Sequence, residues 1–217
     1  MLRKITRWAL FTVVVCGGIL VISGDWASPL LWTYLAGVSA VFLYALTALD
    51  PDLARERFHP PAPSADAGAL VLIRLTALAT LIVAPLDMRF HWSAPVPVPL
   101  RAAAIAGSLG AFLFCFRAMI TNRFFSPVIR IQEERGHRVV DAGPYAVIRH
   151  PGYAGMIVGV PLMPIALGSW WGFAIASVYG LLILNRVTVE DRFLRANLPG
   201  YVEYASRVRS RLVPGIW

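Results

Sequence analysis

Two polar residues directly after a long uncharged stretch have the charge and the spacing to hold a ligand. Arg186 and Glu190 are four residues apart, so they share one face of a helix. A glutamate can hold an ammonium or hydroxyl group by a charge-assisted hydrogen bond, and an arginine can hold a carboxylate. The same spacing is typical of a simple helix ion pair, and that alternative stays open at this stage.

A second group of candidate residues lies around the start of the same stretch. Tyr145 and Tyr153 offer flat apolar faces that suit an aromatic or cationic ligand, and hydroxyls for its polar edges. Pro151 suits the first turn of a helix, so His150 is presented just before that helix begins. The tyrosines could equally anchor the chain at a membrane interface, and His150 could be an interfacial histidine before a membrane span.

The composition indicates that membrane helices position these residues. Of the 217 residues, 58% are hydrophobic and 15% are charged, against about 45–50% and about 25% in soluble domains. This excludes an ordinary soluble domain, a disordered chain and a coiled coil. The net charge is +8, and the basic residues flank apolar runs, which indicates membrane topology rather than nucleic-acid binding. The two cysteines and the histidine–carboxylate spacing predict no disulfide scaffold and no metal site.

The apolar runs predict an all-α polytopic membrane protein with four single transmembrane helices and a C-terminal helical hairpin. A spanning helix needs about 20 mostly apolar residues. Residues 151–185 carry no formal charge, which is enough for two helices, and Gly168-Ser169-Trp170-Trp171 marks the turn between them. The four single runs lie at 8–24, 26–49, 67–86 and 102–116.

The distribution of basic residues predicts the orientation. Seventeen of them fall on one side of the predicted spans, and only Arg89 and Arg101 fall on the other. The positive-inside rule then puts both termini in the cytoplasm. Nineteen arginines against one lysine suggest a bacterial source, so we expect a multi-pass protein of the cell inner membrane.

The polar segments divide the chain into two functional parts. Residues 50–66, with a short helix around 53–58, and residues 117–149 are predicted to form cytoplasmic loops, and the tail after Arg186 is also polar. We therefore expect N-terminal transmembrane helices at 1–119. The predicted catalytic region at 120–217 comprises a cytoplasmic loop, the hairpin and a C-terminal helix.

The order of motifs in that region is distinctive. It contains Gly143-Pro144-Tyr145, then an Arg-His-Pro-x-Tyr motif at 149–153, the uncharged hairpin, the acidic pair Glu190-Asp191, and a Gly-Tyr-x-x-Tyr motif at 200–204. In this order and spacing, the region resembles the isoprenylcysteine carboxyl methyltransferase family and its relatives, the phospholipid N-methyltransferases. The resemblance covers nearly half the chain.

This resemblance implies S-adenosyl-L-methionine as the methyl donor, held in a pocket at the cytoplasmic membrane face rather than in a Rossmann fold. The chain has no Gly-x-Gly-x-x-Gly motif after a strand, in keeping with that. By the resemblance, Arg186 contacts the substrate, and Arg186 and Glu190 form the catalytic pair. The implied cofactor contacts are Gln132, His137, Val139, Val140, Tyr145, His150, Tyr153 and Glu190.

The implied acceptor is a lipophilic small molecule or lipid that enters from the membrane and is methylated on a carboxylate. An amine acceptor, as in a phospholipid N-methyltransferase, would also need a base, for which Glu190, Asp191 and His150 are candidates. A membrane reductase with NADPH is a further alternative, because sterol reductases share a similar C-terminal architecture. A transporter is disfavoured because the predicted spans contain almost no ionisable residues at mid-membrane depth.

Overall fold

The computed structural model describes residues 2–58, 60, 64 and 66–217, with only the backbone at residues 2, 3 and 58. Every regular element in these ranges is a helix, as predicted. A π-helical turn at Thr12–Cys16 joins the first two helices, and short 3-10 turns lie at Glu133–Arg135 and Gly143–Ala146. The α-helices are α1 (Leu2–Phe11), α2 (Gly17–Ser23), α3 (Pro29–Ala48), α4 (Pro51–Phe58), α5 (Ala67–Phe90), α6 (Val98–Thr121), α7 (Pro151–Leu167), α8 (Trp170–Asn197) and α9 (Tyr201–Arg207).

The predicted membrane helices are present. Five helical segments are long and apolar enough to cross a bilayer: Lys4–Ser23, which combines α1, the π-helical turn and α2, and the helices α3, α5, α6 and α8. The hairpin arms differ in length. The 17 residues of α7 span roughly 25 Å, and the 28 residues of α8 span roughly 42 Å, at about 1.5 Å per residue. The carboxyl end of α8 can therefore extend beyond a hydrocarbon layer of about 30 Å.

The hairpin turn lies at the predicted position and is fixed by polar contacts. Gly168 ends α7 with a φ of 106°, a conformation that favours glycine. Ser169 Oγ caps α8 by accepting a hydrogen bond from Gly172 N at 2.8 Å, and it donates one to the buried Asp87 carboxylate at 2.6 Å. Asp87 belongs to α5, so the turn is tied to a neighbouring helix.

Small residues bring α6 and α7 into close contact. A Cβ atom on Gly155 would lie 2.6 Å from the Ala111 carbonyl oxygen and 2.7 Å from Cys115 Cβ. Close approach of this kind is how helices associate in a membrane, where apolar surface gains little by leaving lipid. The position of His150 and Pro151 at the start of α7 is thus fixed relative to α6.

The non-spanning segments gather at one end of the bundle, which we call the loop end. It comprises α4, the irregular segment 122–150, α9 and the tail. The buried Glu56 carboxylate of α4 accepts hydrogen bonds from Arg130 Nη2 at 2.7 Å and from Ser126 Oγ at 2.7 Å. These bonds hold α4 against the irregular segment. The cytoplasmic placement of this end stays a prediction.

Candidate active site

A buried carboxylate organises the loop end. Asp191 of α8 is fully buried, and its oxygens accept hydrogen bonds from Arg149 Nε at 2.8 Å and Tyr201 Oη at 3.0 Å. His150 Nε2 lies 3.2 Å from the same carboxylate. Arg149 also donates to the carbonyl oxygens of residues 208 and 209. The Arg-His part of the motif therefore joins α7, α8 and the tail.

The two tyrosines of the Gly-Tyr-x-x-Tyr motif support this arrangement from α9. Tyr201 bonds Asp191, as above, and Tyr204 Oη donates to the carbonyl oxygen of Tyr145 at 2.7 Å. Tyr145 is itself buried, and burial raises the pKa of its hydroxyl well above the usual range. Tyr145 therefore stays protonated, and its ring is held in place through its main chain.

A second chain of contacts joins the predicted catalytic pair, Arg186 and Glu190. The hydroxyl of Tyr153 donates to the Glu190 carboxylate and accepts a hydrogen bond from Arg186 Nε at 2.9 Å. No direct ion pair between Arg186 and Glu190 is present among the described residues, although both lie on one face of α8. Tyr153 bridges the two side chains, so the simple ion-pair alternative is wrong.

Arg186 is nearly completely buried, at 2% exposure, and the loop end supplies its other partners. Its Nη2 donates to the carbonyl oxygen of Pro127 at 2.8 Å, and its Nη1 lies 2.9 Å from a carboxylate oxygen of Asp66. The contact with Asp66 has the distance of an ion pair but not the geometry of a hydrogen bond. A carboxylate therefore fits beside this guanidinium.

All the predicted site residues line one cavity of about 310 Å³. A cavity of this size lies within the range of small-molecule sites, roughly 300–1,000 Å³. Residues of α5 and α8, including Ile73 and Ile183, form its apolar walls. The predicted residues around it are Gln132, His137, Val139, Val140, Tyr145, His150, Tyr153, Arg186 and Glu190.

Gln132 and His137 form the part of the wall that the irregular segment supplies. The buried side chain of Gln132 donates to the carbonyl oxygen of Phe124 at 2.7 Å and accepts from Arg135. His137 Nδ1 lies 3.3 Å from Gln132 N, in hydrogen-bonding geometry. Burial, reinforced by the positive charges of Arg130 and Arg135, lowers the pKa of His137 to about 4. His137 is therefore a neutral acceptor at physiological pH.

Several residues that shape the site were not predicted as part of it. Arg149, Tyr201 and Tyr204 appeared in the sequence only as members of motifs, yet their hydrogen bonds hold the cavity wall. Asp191 was considered as a possible base but proves to be the buried hub of these bonds. The sequence contained one signal for this different role. Adjacent residues of a helix point in different directions, so Asp191 is expected to point away from the cavity that Glu190 faces.

Comparison with known proteins agrees with the motif order. The sequence model of the isoprenylcysteine carboxyl methyltransferase family matches residues 105–196. Over these residues the chain is similar to this family. That match includes α7, most of α8 and the Arg149–Tyr153 motif, and it confirms the resemblance predicted from the sequence.

Two plant relatives match a similar region. Protein-S-isoprenylcysteine O-methyltransferase B of Arabidopsis thaliana is 33% identical over 109 residues, which are 47% of this chain and 53% of that protein. A probable protein-S-isoprenylcysteine O-methyltransferase of Oryza sativa subsp. indica is 36% identical over 100 residues, which are 44% of this chain and 51% of that protein. The chain thus spans about half the length of the curated relatives it matches.

A solved structure extends the likeness to the whole bundle. The eukaryotic intramembrane Ras methyltransferase ICMT (isoprenylcysteine carboxyl methyltransferase) aligns over 98% of this chain and 77% of that chain, with a TM-score of 0.57 and 19% identity. At that identity the likeness shows a shared fold. It includes the N-terminal helices, which lie outside the family match.

Proposed function

We propose that this protein transfers a methyl group from S-adenosyl-L-methionine to the carboxylate of a lipophilic acceptor. One observation carries the proposal: the nine residues that the family resemblance assigns to cofactor or substrate line a single cavity at the loop end. The cavity also has apolar walls, which suit a lipophilic acceptor. The catalytic roles of Arg186 and Glu190 are part of this proposal.

The cavity has the chemical groups that this cofactor requires. Glu190 can hold an ammonium or ribose hydroxyl, and the rings of Tyr145 and Tyr153 suit adenine and a sulfonium cation. The amide and carbonyl groups of Val139 and Val140 have no hydrogen-bond partner within the part of the chain that the structure describes. They are therefore available to the polar edge of an adenine. When bound, S-adenosyl-L-methionine supplies a methyl group activated by positively charged sulfur.

The protein's own contribution is to align the acceptor and exclude water. A carboxylate acceptor is already an anion at neutral pH, so no residue has to remove a proton from it. Arg186 would bind that anion, and the Asp66 carboxylate beside it shows that the space suits such a group. Tyr153 holds the Arg186 guanidinium in a fixed position relative to Glu190. An acceptor bound to Arg186 would therefore be positioned relative to a cofactor bound to Glu190.

The acceptor class follows from the same contacts. Methylating an amine needs a base, but His150 and Asp191 bond each other and Asp191 is further bonded by Arg149 and Tyr201. This leaves Glu190 as the remaining candidate base, and its carboxylate already accepts a hydrogen bond from the Tyr153 hydroxyl. A carboxylate acceptor avoids this requirement. The names of the plant relatives suggest a prenylated cysteine as the acceptor to test first.

We propose that the loop end faces the cytoplasm, in keeping with the excess of basic residues on that side. Protease protection of a tag at either terminus in intact cells tests this. Digestion of a C-terminal tag from outside would overturn the orientation.

The activity is tested with purified protein in lipid vesicles and a methyl-labelled donor. S-farnesyl-N-acetylcysteine should form a labelled, base-labile ester, whereas phosphatidylethanolamine should gain no label. The substitution Asp66→Asn should lower the acceptor KM a few-fold, because it removes the carboxylate that competes for Arg186. Label in the amine lipid, or substrate reduction with NADPH in place of methylation, would contradict the proposal.

A further inference from the structure

A second cavity, which we call the apolar chamber, lies deeper in the bundle. Its volume is about 410 Å³, within the range of ligand sites. Along α3 its lining residues run from Tyr34 to Leu46, which is roughly 18 Å at about 1.5 Å per residue. The chamber therefore runs along more than half of a hydrocarbon layer about 30 Å thick. Its walls come from α1, the π-helical turn, α2, α3, α5, α6 and α7.

The apolar chamber and the candidate active site meet at one side chain. Arg57 of α4 lines both cavities, and it is the one charged residue among the described residues that line the chamber. Its guanidinium carbon lies 5.3 Å from the centre of the Phe125 ring. A cation over an aromatic face gains only about 0.5–2 kcal/mol. The contact holds the guanidinium at the junction without neutralising it.

Arg57 has no ion pair or hydrogen bond with any described residue, although acidic groups lie close by along the chain. Glu56 pairs with Arg130 at 2.7 Å, and Asp66 pairs with Arg186 at 2.9 Å. Asp52 likewise pairs with an arginine, at position 135. The few residues outside the described ranges include no aspartate or glutamate.

Arg57 is half-buried, and even partial burial of an unpaired charge is costly. Burial lowers the pKa of Arg57, and the positive charge of Arg186 acts in the same direction. An arginine nevertheless stays protonated in proteins. Six arginines, among them Arg57 and Arg186, line the cavity at the loop end, and Glu190 is the one acidic residue among its described lining residues. An anion at the junction would relieve this imbalance.

We propose that the acceptor is a single-chain amphiphile whose carboxylate binds between Arg57 and Arg186 and whose apolar chain lies in the apolar chamber. The inference rests on the proposed function for its choice of occupant. Under this proposal Arg57 is a specificity residue, because it binds the acceptor anion and directs the apolar chain between α3 and α6. The competing route runs from the active site along α5 and α8, past Ile73 and Ile183.

A photoreactive acceptor separates the two routes. The probe is S-farnesyl-N-acetylcysteine with a diazirine at the far end of its chain, and the comparison probe is its methyl ester. Irradiation of the full-length protein in vesicles, followed by peptide mass spectrometry, should place saturable labels on the chamber walls, near Phe42 and Phe116. Labels on Ile73 and Ile183 instead would overturn the proposal.

Variants of α4 test the role of the charge. Arg57→Gln should reduce labelling by the carboxylate probe about tenfold or more, while labelling by the methyl ester should change little. Arg55→Gln is the matched control, because Arg55 is an exposed arginine of the same helix, and it should leave both probes unaffected. Equal loss of both probes in Arg57→Gln would contradict a role for the charge.

Melting temperature separates a binding role from a structural one. Without ligand, Arg57→Gln should melt at the same or a higher temperature, because an unpaired, half-buried charge is removed. A lower melting temperature would mean that the fold itself uses this charge, and the proposal would fail.

Val38→Trp, which fills the chamber, should shift preference toward acceptors with shorter chains. An unchanged preference would also contradict the proposal.

The labelling experiment does not depend on methyl transfer, so its result can contradict this proposal without contradicting the proposed function. Chamber labelling without methyl transfer would support the binding site and contradict the activity. Methyl transfer with labels on α5 and α8 would support the activity and contradict this route.

Discussion

The loop end and the helix contacts deeper in the bundle are held together by different forces. At the loop end, Asp191, Arg149 and Tyr201 form a buried network of charge-assisted hydrogen bonds. Deeper in the bundle, buried apolar side chains such as Leu31 and Leu35 pack against α5 to α7. A hydrogen-bond network depends on individual atoms, whereas apolar packing depends mainly on volume. Single polar substitutions should therefore disrupt the first region and spare the second.

The largest effect should come from Asp191→Ala. The substitution leaves Arg149 and its buried neighbours without their carboxylate, and breaking a buried pair in this way costs about 3–5 kcal/mol. The matched control is Asp141→Ala, whose pair with Arg207 is exposed and should contribute at most about 1 kcal/mol. Unfolding free energies in detergent micelles measure both. Similar small losses in the two variants would show that the network does not hold this end together.

Volume should dominate where α6 meets α7. Gly155→Ala would place a methyl group against the Ala111 carbonyl oxygen and Cys115, and overpacking of this kind costs about 1–3 kcal/mol. Gly110→Ala on α6 has open space around its Cβ position and should be neutral or gain up to about 1 kcal/mol from helix propensity. Melting temperatures of the two variants test the contrast. A Gly155→Ala protein as stable as the parent would mean that the helices can separate at little cost.

The same contrast explains how far the sequence alone was informative. The runs of apolar residues predicted the spans and the hairpin, because membrane helices need long uncharged segments. The family resemblance predicted residues that line the candidate active-site cavity. The place of Asp191 in the buried network was not predicted, because it depends on Arg149, which is 42 residues away in sequence. Likewise, Arg57 is left unpaired because Glu56 and Asp66 pair with other arginines. The spacing of these residues along the sequence does not determine which pairs form.

A smaller effect should appear in the pH dependence. The pKa of His137 is about 4 in the folded protein, below the value of about 6.5 in an unfolded chain. Protons then bind the unfolded state more tightly, so the contribution of His137 to stability is present above about pH 6.5 and is lost as the pH falls toward 4. Solvent screening at this partly exposed ring limits the loss to about 1 kcal/mol. The variant His137→Asn keeps an acceptor and should lack this component.

A titration of the His137 ring by NMR gives the direct check. An apparent pKa near 6.5 would show that the ring is solvated and is not part of the cavity wall. In that case the hydrogen bond to Gln132 N would not persist in solution.

The central claim is that the cavity at the loop end binds S-adenosyl-L-methionine through Glu190 while Arg186 serves the acceptor. Calorimetric titration of the purified protein with this cofactor, its demethylated product and NADPH tests it most directly. The account predicts binding of the first two and a loss of about 10- to 150-fold in affinity for Glu190→Gln, equivalent to about 1.5–3 kcal/mol for a charge-assisted bond. Arg186→Ala and the exposed control Glu203→Gln should bind the cofactor nearly as the parent does. Binding of NADPH alone, or equal cofactor affinity in the parent and Glu190→Gln, would contradict the account.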